Sequence, residues 1–342
     1  MDLKEKLVAS FMAFENKGNV DLDSKIHGIR SAAIAQFEKS GFPNRKDEEW
    51  KYTSLNSLLK NDYSVFPKSE AAIELKEVKQ YFLHEIESYK LVFIDGVYSS
   101  FLSDTTHEGA DICILSSALK QPKYKMVVDH YFGTVASKSE SLTSLNTAFS
   151  KEGAFINIPK NIVLPKPIQI LHFSTGNEKE IMLQPRNLIV VGENSHVQIY
   201  ERHQSLSDNK VLTNAVTEVF AHKRAIADIY KIQNDRKTSS LIDNTYVHQK
   251  DSSIVSINTF SFGGNITRNN LEFHQEGEHI NSNLNGITLI GGKQHVDNHT
   301  LVHHKQENCE SHEMYKGIYD DQSTGVFNGK VIVDKLAQKT NA

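Results

Sequence analysis

Apolar residues recur at one-face spacing from the start of the chain, at Leu3, Leu7, Phe11 and Phe14 and again at Ile26, Ile29, Ala33 and Phe37. That period predicts two amphipathic helices. Gly41, which tolerates positive φ, and Pro43, which has no N–H to give, end the second one. Residues 42–59 then read as a charged, aromatic loop holding Trp50 and Tyr52. These rings suit either a partner-binding platform or, the favoured use of large aromatics, a pin holding the helical arm against the rest of the chain. Residues 73–86, 126–132 and 142–149 read as short helices. Residues 90–94 and 97–98 flank Asp95-Gly96 and read as a hairpin, because that dipeptide takes the positive φ of a tight turn.

From about Phe155 apolar and polar residues alternate, as in Val216-Thr217-Glu218-Val219 and Ile226-Ala227-Asp228-Ile229. Turn-forming clusters recur near Gly192, Asp208, Lys223, Asp235, Asp251, Gly264, Gly277, Gly292, Glu307 and Asp321, roughly every 13 to 16 residues. One strand and one turn fill each interval. An antiparallel sandwich spaces its strands more closely, so the longer, steadier period favours a flattened β-helix in which two intervals make one coil. The expected organisation is a helical arm over 1–60, a small α/β region over 61–150 and a β-helix core over 151–342.

Charge and composition narrow the function. Lys and Arg total 38 against 42 Asp and Glu, a net charge of −4, so no positive field is available for nucleic acid or an anionic membrane. Cys113 and Cys309 lie far apart, which fits a reducing compartment rather than a disulfide framework. No apolar run approaches the ~18 residues of a membrane span, and the expectation is a cytoplasmic protein.

Histidines crowd the last third. His295, Asp297, His299 and His303 share strand parity and so one face, while His304 points away. With Cys309 and His312 nearby, a divalent-metal site drawing on His295, His299, His303 and Cys309 is one reading. The other is a set of hydrogen-bonded histidines on a sheet face, and the absence of paired cysteines or an HExxH motif favours it. A stand-alone metal-binding protein is thus the weakest of the functional readings. Gly286 and Gly291-Gly292-Lys293 only superficially resemble a phosphate loop, since the lysine falls one position late and strand follows. A β-helix also suits a carbohydrate-active lyase or hydrolase using scattered Asp, Arg and His, for instance Asp297, His299 and Arg268.

Several motifs occur in one order: Gly41-Phe42-Pro43 through Asp47-Glu48-Glu49-Trp50-Lys51-Tyr52-Thr53, then Gln294-His295-Val296-Asp297-Asn298-His299-Thr300, Cys309-Glu310-Ser311, Tyr315-Lys316-Gly317, Phe327-Asn328-Gly329-Lys330 and Ala337-Gln338-Lys339-Thr340. In these the chain resembles the SufB/SufD family of iron–sulfur cluster assembly scaffolds, on its SufD-like side, over nearly its whole length. The resemblance implies a right-handed parallel β-helix behind an N-terminal helical region. It also implies a SufB-like paralogue and a SufC-like ABC-type ATPase as partners, no catalysis by this subunit, and a cluster that the complex builds transiently. The family's cluster-linked cysteine and histidine lie beyond the Ala337-Gln338-Lys339-Thr340 segment, so their roles do not pass to His295, His299 or Cys309. The chain is accordingly read as C-terminally truncated relative to the family. An open coil end is expected to favour pairing with a partner, or a homodimer in isolation.

Overall fold

The computed structural model describes residues 2–17, 25–66, 73–105, 107, 109–136, 140–175 and 180–342. The first two elements are α1 (Leu3–Lys17) and α2 (Lys25–Ser40), which bury Leu3, Leu7, Phe11, Ile34 and Phe37. Gly41 closes α2 with φ +67 and donates its N–H to the Phe37 carbonyl at 2.7 Å. The helix expected over 73–86 is shorter: α3 (Leu75–Val78) runs into a single tight turn at Lys79–Tyr81. Beyond it the Gln169 side chain accepts the Leu83 N–H at 2.9 Å, diverting the backbone from helical pairing.

The hairpin forms as read, with β1 (Tyr89–Ile94) antiparallel to β2 (Val97–Tyr98). There follow β3 (Asp111–Ile114), α4 (Leu115–Ala118), α5 (Lys125–Tyr131) and α6 (Ser141–Phe149). The long β run comprises β4 (Ala154–Ile158), β5 (Ile168–Ser174), β6 (Glu180–Leu183), β7 (Arg186–Val191), β8 (His196–Ser205), β9 (Lys210–Ala221), β10 (Ile226–Gln233), β11 (Ser240–Gln249), β12 (Ile254–Ser261), β13 (Ile266–Gln275), β14 (Asn281–Ile290), β15 (His295–His304), β16 (Glu310–Tyr319) and β17 (Thr324–Val333).

Even and odd strands separate from β7 onward. One sheet has the order β16-β14-β12-β10-β8-β5-β1-β2 and the other β17-β15-β13-β11-β9-β7-β4-β3. Both are parallel through the long run, and their ends reach back to β1 and β3. His196 pairs with Ile226, Ile226 with Ile254, Ile254 with Asn281 and Asn281 with Glu310, giving coils of 30, 28, 27 and 29 residues. This is the flattened β-helix that the turn period predicts.

Every coil turns one of its corners alike. Asn161, Asn194, Arg224, Ser252, His279 and Asn308 all have φ between +56 and +63. The N–H groups of Asn194, Arg224 and Ser252 reach the carbonyls of Lys223, Asp251 and Glu278 one coil on, at 3.1, 2.9 and 2.8 Å. Those stacked bonds hold a conformation that ordinary L-residues otherwise avoid.

The interior is divided lengthwise. Val197, Ile199, Ala227, Ile229, Val255 and Ile257 from one sheet meet Val219, Val247, Phe273 and Val302 from the other in an apolar lane. Beside it runs a buried polar lane containing His172, Glu201, His203, Thr217, Lys231, Asp243 and Thr245. Outside, α1, α2 and α6 pack on Met182, Leu212, Ile242 and Ile266 of the odd-strand sheet. Val128 and Phe132, in and just after α5, pack on Leu188, Val190 and Phe220 of that same sheet.

Candidate functional site

Two polar assemblies stand out, one between the arm and the solenoid and one inside it. The first joins the segment after α2 to β13 and β15. Trp50 is 5% exposed, and the Arg268 guanidinium lies 4.0 Å from its ring centroid. Arg268 donates to Asp297 at 2.7 Å, and Asp297 also accepts a hydrogen bond from the Thr53 hydroxyl. The same hydroxyl meets His295 Nε2 at 2.8 Å. His299 sets Nε2 2.9 Å from Asp297 and Nδ1 3.4 Å from Glu49. Burial opposes ionisation of Asp297, but His299, Arg268 and Thr53 outweigh it and hold the carboxyl below its usual range. Burial, with Arg268 and Arg45 nearby, lowers the His295 pKa against the pull of Asp297. Trp50 therefore pins the arm, whereas Tyr52 is 58% exposed.

The residues singled out from the sequence do not converge on one centre. His295, Asp297, His299 and His303 share the outer face of β15, and His304 turns inward to Ser311 at 3.1 Å. His303 pairs with Asp334 at 2.9 Å, away from the Thr53 cluster. Cys309 is fully buried in the turn before β16, with Sγ 3.2 Å from the Gly277 carbonyl, and burial raises its pKa. His312 is half-exposed beside Glu310. Asp297 and Arg268 are buried beneath the arm, which leaves them no open groove in which to act on a glycan.

The second assembly is in the polar lane. Lys231 reaches Glu201 at 3.1 Å, Asp243 at 2.8 Å and Thr245 at 2.8 Å. Burial disfavours the ammonium, yet Asp243 and Glu201 raise its pKa. Glu201 accepts from Asn187 at 2.9 Å, and its carboxyl is pulled below its usual range, against burial, by Lys231 and His203. Among the described residues, the grouping of His, Cys, Asp and Glu whose donor atoms draw together is His172, Glu201 and His203. None of these appeared as a candidate from the sequence. The available signal was a break in strand parity: Val197 and Ile199 share a face with Glu201 and His203, so acid and imidazole fall where the alternation demands apolar side chains.

A parallel β-solenoid carrying a helical arm on one sheet is the class of protein the fold defines, and comparison with known proteins assigns its family. Residues 173–342 match the SUF system FeS cluster assembly SufBD core domain, and residues 1–170 match the SufBD protein N-terminal region. The chain belongs to the SufBD family. It is 28% identical over 328 residues to an iron-sulfur cluster assembly SufBD family protein of Synechocystis sp., covering 94% of this chain and 72% of that one. It is 24% identical over 317 residues to the iron-sulfur cluster assembly protein SufD of Escherichia coli, covering 90% and 70%. The SufD of Bacillus subtilis is 25% identical over 335 residues, covering 93% and 73%.

Proposed function

We propose that this chain is a non-catalytic, SufD-like scaffold subunit of the SUF machinery, pairing with a SufB-like paralogue and recruiting a SufC-like ABC-type ATPase in the cytoplasm. The observation that supports this is the presence of both family regions, joined by the bonds from Thr53 to Asp297 and His295. A scaffold must carry force or position between its parts, and a buried charged network linking arm to solenoid is suited to that task. The iron–sulfur cluster is the substrate of the assembly, not a resident group of this subunit. The stretch resembling a phosphate loop is strand and turn: Gly286 lies within β14, where an added Cβ would stand 2.3 Å from the Tyr315 ring.

Co-purification of the chain with the SufB-like and SufC-like proteins of the same cell tests the proposal. The expected result is a stable assembly whose ATPase activity resides in the SufC-like partner. Failure of the chain to join either protein would overturn it.

A further inference from the structure

His172 on β5 and His203 on β8 are register partners in adjacent coils, with rings stacked 4.7 Å apart and 9° from parallel. Both Nε2 atoms turn toward one oxygen of Glu201, at 3.8 Å from His172 and 3.5 Å from His203. Neither nitrogen has a hydrogen-bond partner, although the side chains are only 8% and 6% exposed. Buried polar atoms normally find partners, so two orphaned nitrogens aimed at one carboxylate oxygen need a physical explanation.

We infer that His172, Glu201 and His203 form a binding site for a divalent first-row transition metal ion inside the solenoid. The donor atoms lie within 4.8 Å of one another, and a modest contraction would bring two imidazole nitrogens and a carboxylate oxygen to the ~2.1 Å bond lengths of such ions. Two imidazoles and one carboxylate favour zinc or iron(II) over calcium or magnesium, which take oxygen-rich sets. The Glu201 carboxylate is already held in place: Asn187 donates to its metal-facing oxygen at 2.9 Å, and Lys231 holds the other oxygen at 3.1 Å. A cavity of about 20 Å³, lined by His172, His203, Gln204 and Asp235, adjoins the trio and has room for one water in an open coordination position. One ammonium, Lys231, serves two buried carboxylates, Glu201 and Asp243, so a further cation also improves the local charge balance.

The site stands independently of the partners proposed above, and purified protein alone tests it. Cobalt(II) titrated into metal-stripped protein is expected to bind at one equivalent with a d–d absorption band that zinc(II) abolishes. His172→Gln and His203→Gln should each remove that band, and His299→Gln should leave it. X-ray absorption at the cobalt edge of the unmutated protein should show two imidazoles and oxygen ligands, a readout that does not depend on the variants folding. No uptake, uptake unaffected by both substitutions, or a thiolate-ligated spectrum would each overturn the inference.

Discussion

Thr53 and Asp297, 244 positions apart, share a hydrogen bond that joins two of the chain's most recognisable motifs. The hydroxyl also serves His295, and Asp297 in turn neutralises Arg268 beneath Trp50.

Removing either end should loosen the arm to different degrees. Asp297→Ala leaves a buried guanidinium without its carboxylate and is expected to cost about 3–5 kcal/mol, whereas Thr53→Val, which loses one hydrogen bond to the ionised carboxylate and one to His295, should cost about 1.5–3 kcal/mol. Both should speed proteolysis within residues 42–59. Equal small losses with unchanged cleavage would show that the network does not hold the arm.

Arg186 and Glu218 form a second tie, 2.5 Å apart and both fully buried. Arg186 also donates to Thr147 at 3.0 Å, and Glu218 accepts the Gly133 N–H at 2.9 Å, which binds α6 and the segment after α5 to β7 and β9. Arg186→Ala is predicted to cost about 3–5 kcal/mol, with hydrogen exchange rising first across 133–136 and 140–147. Urea unfolding of Arg186→Ala, Glu218→Gln and the double variant should reveal strong coupling, and additive losses would refute it.

His248 provides a pH signature. Burial lowers its pKa to about 4, with Glu276 opposing and His274, Lys305 and Lys250 assisting. As pH falls from 6.5 toward 4 the unfolded chain takes up a proton that the folded chain refuses, so stability drops across that window. His248→Gln should flatten this part of the stability profile. A profile identical to that of the unmutated protein would mean the residue titrates normally.

Gly153 enters β4 with φ +149, and a Cβ there would lie 2.0 Å from the Arg186 carbonyl oxygen. Backbone on both sides cannot yield cheaply, so Gly153→Ala is expected to destabilise by at least about 2 kcal/mol. A thermal melt within a degree of the parent would contradict that.

The helical arm was legible because Leu3, Leu7 and Phe11 keep a single period, and the coil was legible because Lys223, Asp251 and Glu307 mark turns beside Arg224, Ser252 and Asn308. The end of α3 was not, since it depends on Gln169, a residue distant in sequence, capturing the Leu83 backbone. Proximity along the chain also misled at the histidines. Cys309 is buried in the turn after β15 while His303 stays on that strand's outer face, so nearness in sequence did not bring them together. The trio within the solenoid comes from adjacent coils, and only the strand register brings His172 against His203.

The shared corner conformation has an evolutionary consequence. Asn, Arg, Ser and His all occupy it, because neighbouring coils rather than the local side chain impose the backbone. A duplicated stretch the length of the 28-residue step from Ile226 to Ile254 would therefore meet no forbidden residue where it turned. Lineages of this architecture are free to grow or shorten by whole coils, changing reach while leaving the cross-section intact.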